Sequence, residues 1–307
     1  MKRTQGNVRR APLRFGSFEE RYASYESARI ALLPVPYDGT STWIKGADRG
    51  PAALLSASSA LELYDIETGA EVYRLGIHTA PAVRESRSPA RMIREVRARV
   101  EALAADGKFV VAIGGEHSVS VGAIAAHAAR HPGLSVLQLD AHSDLRDEFR
   151  GSPYNHGCVM ARAREHCPIV QVGIRSMGAE EKARMRPGSV FFAQDLQDDD
   201  RWMRPAIRRL SKDVYLTIDL DAFDPSIMPS TGTPEPGGMQ WYPVLRLLRR
   251  LFRERNVVGF DIVELCPSAD NRGPDFLAAK LLYTLLSYKF CDAVPAKAAP
   301  PRRGRRA

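Results

Sequence analysis

Residues 134–144 read LSVLQLDAHSD, an apolar run that passes straight into a cluster of acids and a histidine. The run at 134–140 is continuous rather than alternating, the pattern of a strand covered on both faces. Similar short runs recur at 29–34, 108–113, 169–174, 189–193, 214–220 and 257–263. Helical patterns lie between them at 50–63, 89–106, 118–130, 204–211, 243–255 and 274–290. Ser88-Pro89 suits the first turn of the second helix. Strands alternating with helices predict an α/β protein, a single domain whose parallel β-sheet is flanked by helices in three layers. Phe276–Cys291 is the most apolar stretch, but Lys280 and Lys289 interrupt it, so it reads as an amphipathic helix rather than a membrane span.

The composition agrees. The chain has 307 residues, 44% hydrophobic and 26% charged, which excludes a disordered chain, a collagen-like repeat and a disulfide-stapled mini-domain. The net charge of +8 sits at the ends. Residues 1–14 and 293–307 each hold five basic residues and no acid, leaving 15–292 slightly acidic. The two ends are therefore predicted to be solvated tails around a domain at 15–292. No aromatic interleaves their arginines, which disfavours a nucleic-acid partner. Cys158, Cys167, Cys266 and Cys291 form no zinc or redox spacing, and no apolar run follows the basic start. A reducing, cytoplasmic setting is expected.

Three predicted strands end in polar clusters. Gly114-Gly115-Glu116-His117-Ser118 follows the strand at 108–113, its glycines allowing a tight exit and Ser118 placed to cap the next helix. Asp140-Ala141-His142-Ser143-Asp144 follows the second, and its three ligand-type residues share one side if the chain stays extended. Asp219-Leu220-Asp221 follows the strand at 214–220. Ligands of open parallel sheets bind beyond the carboxyl ends of the strands, so one crevice would receive His117, Asp140, His142, Asp144, Asp219 and Asp221. Four carboxylates crowded together raise one another's pKa, which divalent cations relieve. Six ligands exceed what one ion needs and point to a pair. Oxygen-rich ligation with two imidazoles suits Mn²⁺, with Co²⁺, Ni²⁺ or Fe²⁺ as alternatives. His127, His131 and His166 lack such company and are expected on the surface or on helices.

These motifs resemble the ureohydrolases, the family of arginases and agmatinases. The likeness rests on GGEHS at 114–118, DAHSD at 140–144, TIDLDAFDP at 217–225, His156-Gly157, GTPEPGG at 232–238 and GFDIVELCP at 259–267. It extends from about residue 29 to 290. The resemblance implies an arginase-like fold, two Mn²⁺ per subunit and a homotrimer or homohexamer. One ion would be held by His117, Asp140, Asp144 and Asp219, the other by His142, Asp140, Asp219 and Asp221. Asp144 would relay a proton, His156 would shuttle one to the leaving amine, and Glu264 would pair with the guanidinium. Thr233 and Asn155 match positions beside the substrate, and Glu235 is expected to position rather than react.

The resemblance also narrows the substrate, a small guanidino compound. Arginases carry asparagine two residues after the last Asp of DAHxD, where this chain has Arg146, so arginine is disfavoured. Agmatine, hydrolysed to putrescine and urea, is the first expectation, and aminopropylagmatine a close variant. Arg146 and Arg150 would suit a guanidino acid such as 4-guanidinobutyrate. Asp147 and Glu148 would suit a distal ammonium. A relative that binds partners without catalysis is the reading from another class, and the complete ligand set argues against it.

Overall fold

A computed structural model describes residues 13–85, 87–197 and 199–294. The basic ends thus lie almost wholly outside the described residues. Eight strands form one parallel sheet: β1 (Ile30–Val35), β2 (Ile77–Thr79), β3 (Phe109–Gly114), β4 (Ser135–Leu139), β5 (Ile169–Ile174), β6 (Val190–Phe192), β7 (Asp213–Asp219) and β8 (Asn256–Val263). Their order is β2-β1-β3-β8-β7-β4-β5-β6.

The continuous apolar runs have the anticipated cause. Along β1, Ile30 and Leu32 enter one core, while Ala31, Leu33 and Val35 enter the other. The first core is closed by α1 (Gly50–Ser58), α6 (Met203–Arg208), α7 (Trp241–Glu254) and α8 (Gly273–Phe290), the second by α2 (Pro89–Ala105), α3 (Val119–Arg130) and α4 (Val159–Ala163). A short α5 (Ala179–Lys182) completes the helices. The expected three-layer α/β arrangement is therefore observed.

Some local expectations fail for local reasons. β2 escaped notice because three residues carry no periodicity. Helix α1 stops at Ser58, short of the expected 63. Helix α8 is buried on most of its surface, packing against both α1 and α7, and is not amphipathic. Among the described residues no helix is long and apolar enough to cross a membrane.

The strand order sets up the site. β3 and β4 are separated by β8 and β7, so the chain following β3 and the chain following β4 diverge around a crevice. The clusters after β3, β4, β7 and β8 all border it.

Candidate metal centre and active site

The exit from β3 shows why two glycines stand there. A side chain on Gly115 would put its Cβ 1.9 Å from the Tyr37 carbonyl oxygen. The close approach lets Gly115 N bond Val35 O and Glu116 N bond Tyr37 O, each at 2.8 Å. Glu116 is fully buried and accepts from Thr40 Oγ1 at 2.9 Å and from Ser118 N and Oγ at 3.0 and 2.8 Å. Ser118 thus donates its hydroxyl to Glu116 instead of capping α3, correcting the sequence expectation. Thr40 Oγ1 also accepts from His156 N at 2.9 Å, which ties the two loops together.

His117 follows at once. Its Nδ1 faces Asp140 Oδ2 and Asp144 Oδ2 at 3.1 Å and Asp219 Oδ2 at 3.4 Å. Yet this nitrogen is buried with a hydrogen bond to none of them. Its Nε2 lies 2.9 Å from Thr217 Oγ1, which donates to Asp261 Oδ1 at 2.6 Å. With Nε2 as the donor, Nδ1 is left with its lone pair toward the carboxylates. On the far side, His142 Nδ1 is 2.9 Å from Asp221 Oδ2 and 3.7 Å from Asp140 Oδ1.

Two groups here could each hold a metal ion: His117, Asp140 and Asp219, and Asp140, His142 and Asp221. In each, the ligand-type atoms lie within 4.8 Å of one another. Asp140 is common to both. Asp219 falls in the first group only, whereas the resemblance had it in both sets. Asp144 stands beside the first group through its contact with His117. The segment 140–144 does not stay extended, as the sequence reading assumed. Asp144 adopts φ 52°, and this turn brings its carboxylate back beside Asp140. Such a backbone is costly for a residue other than glycine and is typical of functional sites.

The charges fit cations. Burial and Asp140 push Asp144 up to about 7. Burial, Asp221 and Asp140 drive Asp219 well above the usual carboxylate range. Asp140 stays below it, because the facing imidazoles of His117 and His142 outweigh its burial. Buried carboxylates that resist ionising together, around an imidazole nitrogen without a proton partner, form a donor set that divalent ions satisfy.

Glu264 leaves the end of β8 at φ 65°, and its Oε1 accepts from His117 N at 2.7 Å. Burial is the main cause that raises its carboxyl well above the usual range. His156 sits on the 3₁₀ turn His156–Cys158, with Nδ1 4.0 Å from Glu264 Oε1. Burial, then His142 and His117, lower its pKa to about 4, and its Nε2 is buried without a hydrogen bond. A cavity of about 210 Å³ is lined by His142, Asp144, His156, Thr233 and Glu264, among others.

Asn155 is elsewhere. It is 3% exposed and its Oδ1 caps the turn by accepting from Gly157 N at 3.1 Å. Arg146 does line the cavity, but its guanidinium is bonded to Glu180 at 3.2 Å and Glu181 at 3.0 Å. Asp147 faces a separate cavity, paired with Arg162 and Arg184. His127, expected at the surface or on a helix, is on α3 and buried beneath it.

Sequence reasoning missed several supports. Gln138 donates to Asp140 Oδ2 at 2.6 Å and accepts from Gln171 Nε2 at 2.6 Å. Glu181 accepts from Ser143 Oγ at 2.6 Å and Leu145 N at 2.9 Å, fixing the turn after Asp140. The signal was present: a glutamine inside each of two apolar strands, where an amide needs buried partners.

Comparison with known proteins adds independent findings. The sequence profile of the Arginase family matches residues 28–287. An N(1)-aminopropylagmatine ureohydrolase of Synechocystis sp. is 42% identical over 281 residues, spanning 88% of this chain and 92% of that protein. One of the same name from Thermus thermophilus is 42% identical over 283 residues, spanning 90% and 95%. The solved agmatine ureohydrolase of Thermoplasma volcanium superposes with a TM-score of 0.79 at 33% identity, covering 88% of this chain and 92% of the other.

Proposed function

The chain belongs to the arginase family and is a ureohydrolase, and on that premise we propose that it hydrolyses N(1)-aminopropylagmatine to urea and the corresponding triamine. The observation that carries the substrate is the 42% identity, over nearly the whole length of both chains, to two proteins of that name. The chemistry rests on the paired Asp and His groups with Glu264 beside them.

In this reading His117, Asp140, Asp144 and Asp219 would hold one Mn²⁺, and Asp140, His142 and Asp221 the other. The cations, when bound, acidify a water toward neutral pKa and so supply a hydroxide-like nucleophile. The chain's own groups do the rest. Glu264 receives the planar guanidinium, whose N–H fork matches a carboxylate. It thereby turns the central carbon toward the metal edge. Asp144 takes the proton of the attacking water. His156 takes up that proton from Asp144 and passes it to the departing amine nitrogen as the C–N bond breaks, returning to its neutral form. Water adds its oxygen to the guanidinium carbon, urea leaves with both terminal nitrogens, and the alkyl nitrogen departs as an amine.

Agmatine is the second reading, favoured by the 33% identity to the Thermoplasma volcanium agmatine ureohydrolase. A guanidino acid fits less well, because Arg146 already spends its charge on Glu180 and Glu181. Urea release from N(1)-aminopropylagmatine, agmatine, 4-guanidinobutyrate and arginine, with Mn²⁺-loaded protein, tests this. The highest kcat/KM is expected for N(1)-aminopropylagmatine. A preference for agmatine would replace the substrate and keep the mechanism. No urea from any of them would overturn both.

A further inference from the structure

Arg175 directly follows β5, and the sequence reading gave it no role. Its backbone N–H bonds Ala141 O at 2.8 Å, beside the metal-site residues Asp140 and His142. Its side chain reaches past the end of β4 to the segments that follow β7. Nη2 donates to Asp221 O at 2.6 Å and to Glu235 O at 2.8 Å. Nε donates to Pro236 O at 3.0 Å, and Nη1 to Gly173 O at 3.2 Å. Among the described residues no carboxylate pairs with it. A guanidinium is a rigid planar fork of five donors, able to bind several carbonyls at fixed angles, which an ammonium cannot do.

The carbonyls it gathers are telling. Asp221 carries a ligand-type carboxylate of the second metal group. Glu235 and Pro236 belong to the loop that brings Thr233 to the cavity. The far side of the same loop has its own tether: Asp224 Oδ2 accepts from Gly237 N and Gly238 N, each at 3.0 Å. Asp224 contacts neither metal group.

We propose that Arg175 is a positioning residue that fixes Asp221 for the second metal ion and holds the Thr233–Pro236 lip over the substrate, coupling ion affinity to cleft width. This rests on the ligand reading given above. It goes beyond it by separating the two ions, since Arg175 touches the chain of Asp221 but not that of His117.

The test titrates Mn²⁺ into metal-stripped full-length protein by calorimetry and measures KM for the urea-yielding substrate in parallel. Arg175→Lys should weaken one of the two ions by roughly 10- to 100-fold and leave the other unchanged. KM should rise by more than kcat falls. Asp221→Asn should weaken that same ion. Asp224→Ala, which loosens the lip alone, should raise KM with both ion affinities intact. Should the lysine variant not fold, Arg175→Gln provides the same comparison. Equal weakening of both ions, or unchanged affinity for both, would overturn the proposal. Fewer than two ions on the unaltered chain would overturn the ligand reading beneath it.

Discussion

His117 and His127 stand at the two ends of helix α3, one just before it and one in its last turn, and both are buried. Burial alone lowers a histidine pKa, and at His127 burial wins, bringing it down to about 4. Its ring packs against Tyr215 at 4.8 Å, its Nδ1 lies 2.9 Å from Ala123 O, and its Nε2 lies where a side chain on Gly259 would reach. At His117 burial acts in the same direction but loses to Asp140 and Asp144, which drive the pKa well above the ordinary value. One histidine is thus a neutral packing piece. The other faces three carboxylates with its Nδ1, the arrangement on which its proposed role as a ligand rests. The lesson is that burial does not identify a functional histidine. The charges that the sheet topology gathers around it do.

The largest effect should come from the shared carboxylate. Asp140→Asn takes the negative charge and one of two oxygens from the residue common to both metal groups. Its activity should fall by more than the roughly 100-fold that losing an outer partner costs, with metal content dropping in parallel by elemental analysis. Full activity with two bound metals would erase the contrast between the two histidines.

Glu264→Gln should come next. Truncating one member of a buried charge pair costs about 2–5 kcal/mol, so kcat/KM should fall roughly 30-fold or more, mainly through KM. The tight fit of Glu264 Oε1 to His117 N should persist in the glutamine. An unchanged KM would remove Glu264 from the substrate.

His127 yields a pH test of stability. Its folded pKa, about 4, lies below the unfolded value near 6.5, so the unfolded chain takes up a proton between those limits and the folded chain does not. Stability from this residue is complete above pH 6.5 and is lost as pH falls toward 4, by on the order of 3 kcal/mol. Denaturant titrations across that range should show the slope, and His127→Gln should flatten it. An unaltered slope in that variant would assign the acid sensitivity elsewhere.

The smallest effect belongs to Asp147. Held by Arg162 and Arg184 in a separate cavity, Asp147→Asn should leave kcat/KM within about twofold, as an exposed ion pair contributes little. A marked loss for a substrate with a distal ammonium would restore the sequence reading that set Asp147 against Arg146.

Much of this molecule was legible in the chain. LSVLQLDAHSD announced a strand covered on both faces, which is present, and its end carries side chains grouped as they would need to be to hold a metal. His117, Asp140, Asp219 and Asp221 could be named because residues just past a parallel strand have only one place to go. Ser118 and Asn155 were harder. Each is a residue type whose side chain serves backbone or substrate equally well, and local hydrogen bonds settled both. Glu181 and Gln171 gave no sign of their partners, which lie far away in sequence.

By itself, then, the sequence determined the layered parallel α/β architecture and the residues that border its crevice, since periodicity and strand-end chemistry are local properties. Only the tertiary structure decided which carboxylates fall into one candidate metal group, which way Arg146 and Asp147 turn, that Asp144 and Glu264 take left-handed backbones, and that Arg175 binds the Asp221 and Glu235 carbonyls. Those outcomes depend on strand order and on loops meeting across the sheet, and no periodicity within a single segment encodes a contact with another.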